Sequence, residues 1–217
     1  MKNLKIKSVR LLTILFQLFI FIALVLFFKV EAKAQMAIHG SANYSNVRND
    51  VSLKNKEPGL GYNLGLLFQY YPIKKFKNIS VINEVNYSRK GYQQDFEKNY
   101  RFKFNYLSFP VLVNYSLSDQ FSIYTGVELS ELISTNIEKG RETYNEFDLG
   151  LVFGLSWLNK KRISCYSRIT YGMIPMLDYY EIDELGNFNR EIHDLKNVCL
   201  SIGIKFNFYN EKILLYK

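Results

Sequence analysis

GLGYNLGLLFQY, residues 59–70, alternates without a break: Leu60, Tyr62, Leu64, Leu66, Phe68 and Tyr70 share one face, and Gly61, Asn63, Gly65, Leu67 and Gln69 share the other. A period of two held over a dozen positions means a β-strand, because successive side chains of an extended chain point to opposite sides. The two faces also differ in kind. One gathers the large apolar residues, while the other carries glycine and asparagine instead of the Lys, Glu and Thr expected on a strand face washed by bulk water.

The same pattern recurs along the chain. Leu107, Phe109, Val111, Val113 and Tyr115 oppose Ser108, Pro110, Leu112 and Asn114. Phe121, Ile123, Thr125, Val127 and Leu129 oppose Ser122, Tyr124, Gly126, Glu128 and Ser130. Residues 147–157 and 198–208 repeat it, and three less regular segments, 36–45, 79–92 and 163–174, bring the expectation to eight strands and no helix. In the segment 79–92 the irregularity is local: Asn83 falls among outward residues and Ile82 among inward ones.

Strands of about 9–14 residues suit a tilted crossing of a bilayer. The links at 72–78, 116–120 and 158–162 are short, and those at 46–58, 93–102, 133–145 and 175–196 are long and polar. Short and long connections alternate, as in a barrel with tight periplasmic turns and larger outer loops. A soluble lipocalin-like barrel alternates too, with its apolar face inward. The glycines of the second face, Gly61, Gly65, Gly126, Gly150, Gly154, Gly172 and Gly203, suit a crowded lumen rather than a solvated exterior. Tyr70, Tyr115, Phe121, Trp157, Phe206 and Phe208 cluster near the short turns, where an aromatic girdle would sit. The expected fold is all-β: an eight-stranded antiparallel transmembrane β-barrel.

The first residues have a different character. Lys2, Lys5, Lys7 and Arg10 precede a run without charge, residues 11–28, followed by Ala32, Lys33 and Ala34. This is the layout of a secretory signal peptide, although the run is also long enough for an uncleaved membrane helix. The expected organisation is a signal peptide at 1–34, a barrel at 35–208 and a tail at 209–217. Of the net charge of +8 most belongs to the leader: residues 35–217 hold 22 basic and 19 acidic residues, a net +3. An exported, nearly balanced chain is not a nucleic-acid binder. Cys165 points outward and Cys199 inward at different heights, so two free thiols are expected.

The run NYLSFPVLVNY, residues 105–115, resembles the "YLxxPxLxxY" strand of the PorT-like outer-membrane β-barrel family of Bacteroidetes. NYSRKG at 86–91, FDLGLVFG at 147–154 and RITYG at 168–172 agree with it, and the resemblance covers residues 36–208. It implies an eight-stranded barrel in the outer membrane of a Gram-negative bacterium and, for most members, no defined activity. The family's namesake assists a protein secretion system. Barrels of this kind often end on the aromatic of the last strand, whereas here nine residues follow Phe208, so Phe206 and Phe208 would act as an internal signal.

An eight-stranded barrel is narrow enough for side chains to fill. By alternation Glu84, Glu128, Asp148, Arg168 and Lys205 face the lumen, and buried charges must be paired. Arg168 is expected to pair with Glu84 or Glu128 in a structural charge network. A proton- or ion-conducting network is the functional counterpart.

His39 and Ser41 share a strand face and could serve a lipid-modifying enzyme, but no third orienting group accompanies them, so no catalytic residue is assigned. The last long loop gathers Asp178, Glu181, Asp183, Glu184, Glu191, His193 and Asp194 with Tyr179 and Tyr180, in no calcium-loop spacing, and reads as a hydrated acidic loop. The short turns carry Lys74, Lys75, Lys77, Lys160, Lys161 and Arg162. No cofactor, metal site or phosphate-binding loop is expected. The expected partners are outer-membrane lipid and lipopolysaccharide, with envelope or secretion proteins as further candidates.

Overall fold

The computed structural model describes residues 35–208 apart from 49–55, 74, 77, 96–98, 138–142, 160 and 183–187. The leader at 1–34 and the tail at 209–217 lie outside the described residues. The strands are β1 (Gln35–Arg48), β2 (Lys56–Tyr70), β3 (Ile79–Asp95), β4 (Asn99–Ser116), β5 (Phe121–Thr135), β6 (Phe147–Trp157), β7 (Ile163–Gly172), β8 (Leu177–Ile182), β9 (Phe188–Asp194) and β10 (Lys196–Asn207). Eight of them close an antiparallel barrel in the order β1-β10-β7-β6-β5-β4-β3-β2, while β8 and β9 form a separate two-stranded hairpin.

Two of the expected loops are not loops. β3 and β4 continue through most of 93–102, so that only residues 96–98 separate them, and the segment 175–196 folds mainly into the β8–β9 hairpin. Past the bilayer edge no lipid demands an apolar outer face, so a strand can go on with polar residues that read as loop. The acidic segment thus has a paired backbone, and one of its carboxylates is inside. Asp178 pairs in register with His193, and Asp194 is buried, accepting a hydrogen bond from Leu195 N at 2.8 Å.

The β3–β4 ladder is interrupted at one place. Asn83 pairs with Val111 and Asn86 with Ser108, but Glu84 and Val85 have no ladder partners opposite Pro110 and Phe109. Proline has no N–H to donate across the ladder. The register is the same on both sides of the gap, so the proline removes pairing without shifting it. Pro110 itself is fully buried in the lumen wall.

The faces are those of a membrane barrel. Leu60 is 81% exposed and Ile202 and Ile204 are 60% exposed on the outside, whereas the polar residues of the alternate positions are buried inside. This is the reverse of a lipocalin-like barrel. Outside, Tyr70, Tyr115, Phe121, Trp157, Phe206 and Phe208 ring the end bearing the short turns. Tyr44, Tyr62, Tyr87 and Tyr171 line one side of the other end, on β1, β2, β3 and β7, a second and partial girdle that the sequence reading did not single out. Arg162 stands over the Phe206 ring at 4.8 Å, Arg48 over Tyr171 at 4.1 Å and Arg89 over Tyr62 at 5.0 Å. Cations that leave the apolar band for the headgroup region rest on aromatic faces in this way.

The interior is layered. Toward the turn end lies an apolar layer of Ala37, Leu67, Ile82, Leu112, Tyr124 and Val152. Toward the loop end Val47, Tyr92, Phe104, Tyr106, Leu132, Met176 and Leu195 form a second one, backed by Phe102, Ile137, Tyr144 and Leu177. The polar charge layer lies between them. Glycine makes room for rings at two places: a side chain at Gly154 would meet the ring of Tyr124, and one at Gly203 would meet Tyr166.

Candidate functional site

All five sequence-assigned lumen charges are buried: Glu84 on β3, Glu128 on β5, Asp148 on β6, Arg168 on β7 and Lys205 on β10. β3 and β7 lie four strands apart in either direction around the closed barrel, yet Arg168 Nη1 donates to Glu84 Oε2 at 2.7 Å. The pair spans the lumen. Glu128 is not part of it; its Oε1 accepts from Lys90 Nζ at 2.7 Å and from Ser130 Oγ at 3.2 Å. Ser130 in turn meets Ser108 at 2.8 Å.

Lys90 is the residue that sequence reasoning missed. It lies inward on β3 with the same parity as Glu84, Asn86 and Ser88, and continuing the alternation would have assigned it. Its place beside an expected loop concealed it. The charges also form two ion pairs rather than one network. Asp148 Oδ2 accepts from Asn197 Nδ2 at 2.9 Å and takes no cation as an ion-pair partner among the described residues. Lys205 Nζ stands 6.0 Å over the Tyr166 ring and likewise makes no ion pair among the described residues.

Around Glu84 the hydrogen bonds assign the protons. Asn86 Nδ2 donates to Glu84 Oε2 at 2.8 Å, so the amide oxygen faces His39 and accepts from Nε2 at 2.9 Å. His39 Nδ1 then accepts from Tyr166 OH at 2.9 Å. Both ring nitrogens are occupied, and Ser41 Oγ donates to Asn43 Oδ1 at 3.2 Å. His39 and Ser41 therefore do not form a base and nucleophile pair. Among the described residues no group of His, Cys, Asp and Glu is arranged to hold a metal ion. The two thiols are free, Cys199 buried in the lumen beside Ser201 and Cys165 half-buried on the outer wall.

The outward apolar band, two aromatic girdles and a filled polar lumen agree with the comparison to known families: the outer membrane protein β-barrel domain matches residues 30–178. The chain belongs to that family. As a small outer-membrane barrel it resides in the outer membrane of a Gram-negative bacterium, and by the rule for such barrels its short turns face the periplasm. No curated protein matches the sequence. Among solved structures, Neisserial surface protein A is 15% identical, with 81% of this chain and 99% of that chain covered and a TM-score of 0.49. Ail of Yersinia pestis is 15% identical over 81% of this chain and 99% of that one, with a TM-score of 0.43. OprG from Pseudomonas aeruginosa is 12% identical over 82% and 97%, with a TM-score of 0.44.

At the periplasmic end Lys75, Lys161 and Arg162 are exposed, while Lys74, Lys77 and Lys160 lie outside the described residues. Of the acidic and tyrosine side chains assigned to the last loop, those of residues 178–193 are likewise outside the description.

Proposed function

We propose that this barrel is a closed, non-catalytic outer-membrane protein that acts by structure and by binding at its surface, and that its finer kinship is with the PorT-like barrels. The carrying observation is the filling of the lumen: one ion pair across it, Arg168–Glu84, and a second, Lys90–Glu128, between strands two apart, held between two apolar layers. An ion path through it would have to break Arg168–Glu84 or Lys90–Glu128 and wet both apolar layers, leaving charges uncompensated in a dry interior. The kinship is supported by NYLSFPVLVNY and its companion motifs, with Pro110 interrupting the ladder behind Glu84. In planar bilayers the purified barrel is expected to leave the membrane insulating; reproducible unitary conductance steps would overturn the closed-lumen reading. Released fatty acid from lipid or lipopolysaccharide substrates would overturn the non-catalytic one.

A second reading makes the barrel an accessory part of an export machine, and the exposed basic turn residues Lys75, Lys161 and Arg162 favour it as a periplasmic contact. Crosslinking in intact outer membranes distinguishes the two. A stoichiometric set of envelope proteins, lost when these three residues are neutralised, supports the accessory role, whereas recovery of the barrel alone sets it aside.

A further inference from the structure

Along β3 the outward-parity residues run Val81, Asn83, Val85 and Tyr87 and then turn to Arg89, Gly91 and Gln93, with Asn83 and Gly91 buried; along β4 they run Val113, Val111, Phe109 and Leu107 and then turn to Asn105, Lys103 and Arg101. The registers Arg89 with Asn105, Gly91 with Lys103 and Gln93 with Arg101 place the change at one height on both strands. Here, at the outer edge of the apolar band, the wall holds a groove of about 320 Å³ bordered by Tyr62, Arg89, Arg101 and Lys103, with Gly61 and Gly91 in its floor. That volume lies within the range of small-molecule sites, about 300–1,000 Å³.

The groove is built and held. Arg89 Nε donates to Asn105 Oδ1 at 2.8 Å, Asn105 Nδ2 donates to Ser134 Oγ at 2.9 Å, and the guanidinium rests 5.0 Å over the Tyr62 ring. Asn136 fixes the facing edge: its Nδ2 donates to Arg101 O at 2.7 Å and its Oδ1 accepts from Lys103 N at 2.8 Å. The three cations make no ion pair with a described carboxylate, and the Nη groups of Arg89 make no hydrogen bond to a described residue. Gly91 lets the β4 backbone approach closely, since a side chain there would run into Phe102 O. Directly below, Leu64, Leu66 and Tyr87 are exposed apolar wall.

We infer that this groove binds the phosphorylated headgroup of an outer-leaflet lipid, with the phosphate among Arg89, Arg101 and Lys103 and the acyl chains on the apolar wall beneath. Arginine and lysine offer forked and point-charge donors that match phosphate oxygens. The continuity of the cationic notch with lipid-facing wall favours a lipid over a free anion. The site rests on the membrane orientation given above and is independent of whether the lumen conducts.

The test uses the full mature chain in detergent, with bis-phosphorylated lipid A, dephosphorylated lipid A and inorganic phosphate as probes, and native mass spectrometry reading the bound lipid. Retention of the bis-phosphorylated lipid at one per barrel is expected, at least about tenfold tighter than the dephosphorylated one. Arg101→Gln with Lys103→Gln is expected to lose at least about tenfold, while Gln120→Ala in an exposed turn at the other end of the barrel changes nothing. Equal retention by the Arg101 and Lys103 variant, or equal binding of the dephosphorylated lipid, would overturn the site. Inorganic phosphate binding as tightly as the lipid would overturn the lipid assignment. Heat-modifiable electrophoretic migration of each variant reports the folded barrel separately, so loss of binding by a barrel that remains folded tests the groove and not the fold.

Discussion

Arg168 and Glu84 illustrate what one residue can control in a narrow barrel. Both are buried, and Glu84 Oε2 also collects Asn86 Nδ2, so removing the cation leaves a buried carboxylate without its ion-pair partner. Arg168→Leu is expected to destabilise the refolded barrel by about 3–5 kcal/mol in urea unfolding from lipid vesicles. Adding Glu84→Gln to it should recover most of that loss; an unchanged midpoint in the single variant would remove the pair from the account of stability. Gly154 works by absence. Its missing side chain is where the Tyr124 ring lies, so Gly154→Val forces the ring to move and is expected to cost about 1–3 kcal/mol in the same assay.

At the scale of elements the β3–β4 pair carries most of the surprises. Its strands outrun the membrane by many residues, and its ladder fails only opposite Pro110. Pro110→Ala would supply the missing donor for the Glu84 carbonyl while giving back chain entropy to the unfolded state, two effects of opposite sign. The net change is expected to stay within about 1 kcal/mol. Hydrogen exchange should nevertheless show a protected amide at position 110; a freely exchanging one would mean that the gap has another cause. The link before β10 is tight for a different reason. Leu195 adopts φ 63° and is buried in the outer apolar layer, so a residue that dislikes this backbone region is kept for the side chain it places there.

For the whole molecule the arrangement is a barrel greased outside, filled inside and girdled at both rims. Trp157, the single tryptophan, belongs to the periplasmic girdle beside Phe121, with which it is in register. In vesicles of brominated lipids its fluorescence is expected to be quenched most by bromines near the headgroup and least by those at the chain ends. Strongest quenching from the bilayer centre would move the membrane boundary. The proposed closed state has a support beyond the charges: an apolar layer lies on each side of them.

The sequence by itself determined which residues face lipid and which face the lumen, because alternation is a local property and parity survives any tilt of the strand. Glu84, Glu128, Asp148, Arg168 and Lys205 were legible as inward on that ground, and Cys165 and Cys199 as lying on opposite faces. Only the tertiary structure decided that Arg168 meets Glu84 while Glu128 meets Lys90, since partners across a lumen depend on closure, stagger and diameter, which no single strand encodes. It also decided where the strands end. Outside the bilayer the outer face no longer has to be apolar, so 93–102 and 175–196 lose the pattern that marks a strand while keeping the backbone pairing that makes one.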